Sequence, residues 1–172
     1  MTLSAGLLIG GEVVTRAEGG VHQHIQSATG LPDFTVPLAG PSDIEDAVHS
    51  ARDAQRAWMS LTVDRRRDLL IDLADVVHDR LDELALLNVH DYAVPISFAG
   101  TGHMLERFLR HFAGYVDKPH GISTPVSGSF DVNLVEREPY GVVAVIAPWN
   151  GSLAVAGSCV APASVAGNAV IL

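Results

Sequence analysis

The stretch that decides the fold is residues 136–172, which read EREPYGVVAVIAPWNGSLAVAGSCVAPASVAGNAVIL. Residues 142–147 form an unbroken apolar run rich in β-branched side chains, which is typical of a parallel strand covered on both faces. The Ala-rich segment 151–166 predicts a helix that Pro162 should kink or shorten. Gly167-Asn168 supplies a helix stop, and the last four residues begin another apolar strand. The stretch therefore predicts a βαβ unit.

The same stretch has a rival interpretation as a membrane anchor. Residues 141–172 contain no Asp, Glu, Lys, Arg or His, and they exceed the ~20 residues needed to span a bilayer. Polar, Gly and Pro residues nevertheless divide the run into short apolar pieces, at Pro148, Asn150, Gly151, Pro162, Gly167 and Asn168. We therefore favour the buried βαβ unit and expect no membrane partner.

Upstream of this stretch, the pattern predicts a β-rich leader followed by three amphipathic helices. Gly10-Gly11 separates two short apolar segments and favours a tight hairpin. A capping box of Ser42 and Glu45 predicts a helix over 43–57, and a second apolar stripe runs from Leu69 to Leu81 after a cap at Thr62. A third stripe predicts a helix over 97–116. Each helix has an apolar side that must be buried, so we expect the three helices to pack against a common surface.

Between the third helix and the βαβ unit, the hydrophobic pattern changes to a period of two. The alternation covers residues 129–136 and is interrupted by Glu138-Pro139. Proline removes a backbone donor, so this segment suits an exposed or edge strand better than a central one.

Composition narrows the classes of function. The 172-residue chain has a formal net charge of −9, which would repel a nucleic acid backbone, so we expect no nucleic acid partner. Its single cysteine, Cys159, cannot form an internal disulfide, and no basic segment precedes the short apolar run at residues 7–9. We therefore expect a cytoplasmic location.

Two sets of polar residues could suggest a metal or acid–base site. His22 and His24 could share a strand face, and His103 and His111 a helix face, but no third ligand stands at a recognisable metal spacing. Solvent-exposed histidines are therefore the favoured interpretation, with no metal. An acidic helix face is likewise read as a solvated surface, at Asp72, Asp75, Asp79 and Asp82.

The turn Pro148-Trp149-Asn150 is the best candidate for a ligand site. It follows a buried parallel strand and precedes a helix, which places it at the carboxyl edge of a sheet, where ligands bind in open α/β folds. Asn150 could donate its amide to an oxyanion, or it could simply cap the following helix. Spacing alone favours the cap.

Two linked motifs give the chain a family resemblance. Residues 137–150 match the pattern R-E-P-x-G-V-x-x-x-I-x-P-W-N, and residues 162–172 match P-A-x-x-x-G-N-x-V-x-L. The chain closely resembles the opening portion of aldehyde dehydrogenases, and the resemblance extends back to the hairpin at residues 9–12. It implies an α/β fold: the N-terminal part of a Rossmann-type cofactor domain with a β-hairpin leader, three amphipathic helices and an oligomerisation β-arm. The sheet would be incomplete.

The resemblance also implies three segments and a set of roles. Residues 1–120 would be the hairpin and helical part of the cofactor domain, 121–140 the oligomerisation arm, and 141–172 the first βαβ unit. Asn150 would stabilise the oxyanion, and NAD or NADP would lie against Ile146, Ala147, Pro148 and Trp149. The reaction would oxidise a small-molecule aldehyde to an acid through a cysteine thioester. The complete enzyme would be a homo-oligomer.

The resemblance implies that the nucleophile and the general base follow the last residue of this chain. Cys159 lies in the Ala-rich helix without a basic neighbour, so we do not expect it to be the nucleophile. The chain alone is then expected to be inactive and prone to association. A non-catalytic fragment that acts as an oligomerising or binding module is the alternative. Gly151-Ser152 and Ser158 depart from the family pattern, which leaves the aldehyde open.

Overall fold

Two short antiparallel hairpins open the chain in the computed structural model, which describes residues 5–128 and 131–172. Strands β1 (Leu7–Ile9) and β2 (Glu12–Val14) form the first, and β3 (Val21–Ile25) and β4 (Pro32–Pro37) the second. Gly10 and Gly11 both have positive φ, at 62° and 84°, as a two-residue primed turn requires. The predicted Gly10-Gly11 hairpin is thus confirmed.

Four α-helices follow in the described residues, where the sequence predicted three. They are α1 (Pro41–Ser60), α2 (Val63–Asp79), α3 (Leu81–Tyr92) and α4 (Gly102–Ala113). The sequence analysis missed α3: the second apolar stripe was predicted to end at Leu81, but α2 ends before Arg80 (φ −115°, ψ 16°) and Leu81 starts a new helix. A helix starting at Ser97 was also wrong, because a 3₁₀ turn at Ile96–Phe98 precedes α4.

The predicted start of α1 at Asp43, with Ser42 as its cap, is wrong as well. The helix begins at Pro41, with Gly40 as the N-cap. The Asp43 carboxylate accepts hydrogen bonds from the amides of Gly40 and Glu18, both at 2.8 Å. The Glu18 carboxylate in turn accepts from the backbone amide of Ser42 at 2.7 Å and from its hydroxyl at 2.8 Å. A side chain from the leader therefore completes the N-terminus of α1.

The hydrophobic core lies where α2 and α4 meet a fifth helix, α5 (Ser152–Val165). Its buried members are Leu70, Ala74, Val77, Leu109, Ala113, Val116, Ala161 and Val165. Gly157 marks the closest approach of α5 to α4, because a Cβ built there would lie 2.8 Å from the Cα of Leu105. The two backbones pack this closely only because Gly157 has no side chain.

The predicted βαβ unit is confirmed. Strand β7 (Val142–Ala144) pairs in parallel with β8 (Ala169–Ile171), and α5 is the crossover. The strand is shorter than the predicted 142–147, because the chain leaves the ladder after the Val145 amide donates to the Ile171 carbonyl at 2.8 Å. The residues that follow the strand form the turn in which the predicted site residues lie.

A third hairpin precedes the βαβ unit. Strands β5 (Ile122–Pro125) and β6 (Val132–Val135) pair antiparallel, and all their residues are exposed. Ser129 and Phe130, the first residues of the predicted alternation, lie outside the described residues. All sheets within the described ranges are two-stranded, so the predicted α/β class with an incomplete sheet is confirmed. The three segment limits stay a prediction.

Candidate functional site

The five residues predicted to form the site are consecutive at the carboxyl end of β7. After the last ladder hydrogen bond at Val145, the chain continues through Ile146, Ala147 and Pro148 into a 3₁₀ turn, Trp149–Gly151, from which α5 starts. Because β7 and β8 are parallel, their carboxyl ends share this edge. This is the edge at which open α/β sheets bind ligands.

The turn presents apolar side chains to solvent. Ile146 is 96% exposed and Trp149 is 74% exposed, Pro148 is exposed, and Ala147 is half-buried. Large apolar side chains grouped on a surface mark a place where another molecule or segment binds. In the part of the chain that the structure describes, the predicted site is therefore a solvent-exposed apolar strip.

Asn150 lies at the end of this strip with its side chain unpaired. The N-cap of α5 is Gly151, and no side chain caps the helix. Within the described ranges, the Asn150 amide makes no intramolecular hydrogen bond, and the residue is exposed. The capping role that spacing favoured is therefore wrong. Both amide donors of Asn150 remain available to a ligand.

An aromatic residue missed by the sequence analysis supports the turn. Tyr92, the last residue of α3, packs edge-on against Trp149, with ring centroids 6.0 Å apart and an interplanar angle of 77°. Edge-to-face geometry is a favoured arrangement for aromatic pairs. Tyr92 lay outside every apolar stripe in the sequence, so no local signal pointed to it.

Asn168 fixes the base of the βαβ unit, and the sequence identified it only as part of a helix stop. Its side chain accepts a hydrogen bond from the Gly141 amide at 2.9 Å and donates one to the Ala163 carbonyl at 3.0 Å. The residue is 6% exposed. One buried amide thus joins the start of β7 to the end of α5, and buried polar groups paired on both sides rigidify their surroundings.

Helix α1 holds the same end of α5 from the other direction. The Trp58 indole donates to the Ser164 carbonyl at 2.9 Å, and the Gln55 amide donates to the Gly167 carbonyl at 3.1 Å. The Ser164 carbonyl also accepts the Gly167 amide at 3.0 Å, so the indole adds a second hydrogen bond at the end of α5. The position of α5, and hence of the turn at its start, depends on α1.

The site has no charged side chain of its own from residues 141–172, which contain no ionisable group except Cys159. Cys159 is half-buried in α5, seven residues after Ser152 and therefore about 10 Å along the helix axis from its start. Its sulfur lies 3.8 Å from the Ser158 hydroxyl. No charged group of residues 141–172 accompanies the thiol, and the expectation that Cys159 is not the nucleophile stays a prediction.

The polar clusters lie elsewhere. The predicted exposure of the histidines is wrong for His24, whose side chain is 15% exposed and contacts two aspartates. In residues 5–128 and 131–172, no group of three or more His, Cys, Asp or Glu is arranged to hold a metal ion. The acidic face of α2 is exposed as predicted, and its Asp75 binds Arg110 at 2.7 Å.

A hydrogen-bonded ion cluster joins α2 to α4. Glu106 accepts hydrogen bonds from Arg110 at 3.0 Å, and the His78 ring lies 3.2 Å from the same carboxylate. The Arg110 hydrogen bond is the main reason that the pKa of Glu106 lies below its ordinary value, despite partial desolvation. This cluster is structural and does not reach the turn.

A cleft between α1 and the β7–β8 sheet does not coincide with the turn. It has a volume of about 440 Å³ and is lined by Val48, Arg52, Tyr140, Val142 and Ile171 among others. None of the five predicted site residues lines it. The turn is a surface strip rather than a closed pocket.

None of the helices in the described ranges is long and apolar enough to cross a membrane.

Comparison with known proteins places these features in a family. Residues 14–172 match the model of the aldehyde dehydrogenase family. The chain is 34% identical over 170 residues to aldehyde dehydrogenase family 2 member B4, mitochondrial, of Arabidopsis thaliana, and the match covers 96% of this chain and 31% of that protein. The chain thus spans about a third of the length of its curated relatives.

Solved structures agree with the sequence match. The NADP-dependent glyceraldehyde-3-phosphate dehydrogenase from Bacillus halodurans C-125, complexed with NADP, superposes with a TM-score of 0.89 at 31% identity, covering 98% of this chain and 37% of that one. PnpE, from Pseudomonas sp. WBC-3, in complex with nicotinamide adenine dinucleotide, gives 0.90 at 32% identity, covering 98% and 35%. The chain belongs to the aldehyde dehydrogenase family.

Proposed function

We propose that this chain supplies the cofactor-facing turn and the oxyanion donor of an NAD(P)-dependent aldehyde dehydrogenase. The observation that carries the proposal is the unpaired, exposed Asn150 side chain at the carboxyl end of a parallel strand. An uncharged amide in such a position can donate to an oxyanion without changing its protonation state.

The turn is suited to a dinucleotide. Ile146 and Trp149 offer exposed apolar surface, and no acidic side chain occurs in residues 141–172 to repel phosphate. No side chain caps the start of α5, and the positive end of a helix dipole favours a bound anion. Ile146, Ala147, Pro148 and Trp149 would hold the cofactor, which when bound accepts a hydride. Structures of two similar proteins are described as complexes with NADP and NAD.

The proposed reaction oxidises a small-molecule aldehyde to a carboxylic acid through a thioester on a cysteine. Asn150 would donate a hydrogen bond to the aldehyde oxygen as negative charge develops on it. The half-buried position of Cys159 in the middle of α5, away from the turn, supports a nucleophile other than this thiol. We therefore expect the 172-residue chain by itself to release no NADH or NADPH.

Cofactor binding can be tested on the chain itself, because its two tryptophans lie in different surroundings. Trp149 is on the proposed cofactor surface, whereas Trp58 is held by its hydrogen bond to Ser164. We expect NAD⁺ or NADP⁺, which do not absorb at the wavelengths of tryptophan emission, to quench the chain through contact with Trp149, and Trp149→Phe to abolish the quenching while the Trp58 emission stays constant. Quenching of equal size in Trp149→Phe would refute the cofactor surface.

The role of Asn150 requires a protein with a nucleophile, so we would fuse this chain to the remaining two thirds of the Arabidopsis thaliana relative. If the fusion oxidises an aldehyde, Asn150→Ala should lower kcat about 10²–10³-fold, the typical cost of one oxyanion donor. Ser152→Ala, in the first turn of α5, is the matched control and should keep the rate. Equal rates in the Asn150→Ala fusion would remove Asn150 from the mechanism.

A second function is favoured by the β5–β6 hairpin. Ile122, Val132, Leu134 and Val135 are 50–69% exposed there, which is unusual for apolar strand residues. We propose that this arm joins copies of the chain, whether or not the assembly is catalytic. Leu134→Lys should reduce the oligomer to monomers in light scattering, and an unchanged mass would argue against the arm. The cytoplasmic location stays a prediction. The Arabidopsis thaliana relative is named as a mitochondrial protein.

A further inference from the structure

Four titratable side chains meet where the β3–β4 hairpin touches the end of α3. They are His24 on β3, Asp33 on β4, and His90 and Asp91 on α3. The His24 Nδ1 lies 2.7 Å from Asp33 Oδ1, and its Nε2 lies 3.1 Å from Asp91 Oδ1. One imidazole ring therefore bridges two aspartates on different elements of the fold.

This geometry defines the protonation state of His24. An ionised carboxylate only accepts hydrogen bonds, so the Nδ1 that bonds to Asp33 must carry a proton, and the Nε2 that lies 3.1 Å from Asp91 forms an ion pair only when it carries one too. The ring that satisfies both contacts is thus the imidazolium. It stacks on Phe34 with centroids 4.4 Å apart, and its side chain is 15% exposed, so both contacts are partly shielded from water.

The other groups at the junction are arranged around the same bridge. The His90 Nε2 lies 3.6 Å from Asp33 Oδ2, while the buried His90 Nδ1 has no hydrogen-bond partner among the described residues. Ser27, in the loop of the hairpin, donates to the backbone carbonyl of Asp91 at 3.3 Å. That neutral bond is long, so the charged bridge is the stronger connection.

We propose that protonated His24 is a pH-operated fastener that holds the β3–β4 hairpin to the C-terminal end of α3. Loss of one proton leaves a ring nitrogen whose lone pair faces a carboxylate oxygen, and these two acceptors repel each other. The Asp91 contact should open first, because it is longer than the Asp33 contact and its carboxylate is 61% exposed.

The displaced pKa values agree with this geometry. The pKa of His24 lies above 6.5, and the largest cause is its hydrogen bond to Asp33. Partial desolvation lowers this pKa, whereas Asp91 raises it further. Partial desolvation raises the pKa of Asp33, but hydrogen bonds from His24 and the Phe34 amide outweigh it and keep that pKa below 3.8.

The direction of the pH dependence follows from linkage. A raised histidine pKa contributes stability that is complete below pH 6.5 and is lost as pH rises through the folded pKa of His24. A lowered aspartate pKa contributes stability that is complete above pH 3.8 and is lost as pH falls through the folded pKa of Asp33. The fastener is therefore closed between pH 3.8 and pH 6.5. Starting from neutral pH, it opens when the pH is raised and His24 loses its proton.

The test is an NMR titration of the histidine rings of the 172-residue chain, which needs neither aldehyde nor cofactor and so is separate from the proposed function. At pH 6 both His24 ring nitrogens should show the ¹⁵N shifts of a protonated ring, and the midpoint of its titration should lie above 6.5. A neutral single-tautomer ring at pH 6, or a midpoint below 6.5, would overturn the proposal.

Amide exchange measures the fastener itself. The Ala93 amide, which bonds to the Val89 carbonyl at 3.1 Å, reports on the last turn of α3. After correction for the intrinsic pH effect, its exchange should accelerate about 10-fold as pH rises through the His24 midpoint, as expected for loss of one partly shielded charge contact.

Two substitutions complete the exchange experiment. Asp91→Asn should lower the His24 midpoint and remove the pH-dependent step. His22→Gln, on the same strand but exposed, is the matched control and should keep it. A step that persists unchanged in Asp91→Asn, or its absence in the unsubstituted chain, would refute the proposal.

Discussion

Replacing Gly157 with Ala tests the close contact between α4 and α5. The added Cβ would lie 2.8 Å from the Leu105 Cα, 3.2 Å from the Phe108 ring and 3.3 Å from the Leu105 Cδ1. Optimal separation of carbon atoms is about 3.5–4.0 Å. The nearest atom belongs to the backbone and cannot rotate away, so the helices must separate by roughly 0.7 Å to reach the shorter limit.

The expected cost is the difference between two effects. Overpacking a filled core costs about 1–3 kcal/mol, whereas replacing Gly by Ala inside a helix returns up to ~1 kcal/mol. The Gly157→Ala chain should therefore be less stable by about 1–2 kcal/mol. Part of that loss arises because Ala161, fully buried on the same helix, moves away from its neighbours.

Urea unfolding followed by circular dichroism at low protein concentration measures this loss. Gly114→Ala is the matched control, because its Cβ would meet only the His111 carbonyl, at 3.4 Å, and its φ of −70° suits any residue. The control should unfold at the same urea concentration as the parent or slightly above it. A Gly157→Ala chain as stable as the control, with the same m-value, would refute the packing argument.

Three further substitutions give measurable outcomes. Asn168→Ala removes two buried hydrogen bonds and should reduce the free energy of unfolding by about 2–3 kcal/mol, whereas Asn133→Ala, on an exposed strand, should change the melting temperature little. Ala93→Gly should raise the melting temperature. Ala93 has a φ of 55°, a conformation that is unfavourable by about 1 kcal/mol for a residue with a side chain but not for Gly. Glu106→Gln should remove a stability component that is complete above pH 4.5 and is lost as pH falls through the lowered pKa of that carboxylate, so parent and variant melting curves should converge in acid. Melting temperatures that differ by a constant amount at every pH would contradict this account of the Glu106–Arg110 bond.

Local pattern was sufficient where a structural element is determined by its own residues. The primed turn at Gly10-Gly11 and the strand–helix–strand order of 142–172 follow from glycine conformation and apolar periodicity, and both are confirmed. Local pattern also placed Pro148, Trp149 and Asn150 on a turn between a strand and a helix, whereas Ile146 and Ala147 entered the predicted site only through the family resemblance.

The errors arose where distant residues decide the local structure. Ser42 resembles a cap in sequence, but Glu18 and Asp43 complete that helix start from both sides of Gly40. Helix α3 has apolar residues on several faces, so it produced no stripe and the sequence analysis missed it. His24 looked exposed because nothing in its strand indicates that Asp91 meets it from a helix.

The hydrogen bond from Trp58 to Ser164 has a consequence for biosynthesis. The two residues are 106 positions apart, and ribosomes add about 5–20 residues per second, so the indole waits roughly 5–20 s for its carbonyl to be translated. During that interval the nascent α1 has an apolar side without its final neighbour. A chaperone that binds emerging polypeptides would find its target on α1 until α5 leaves the exit tunnel.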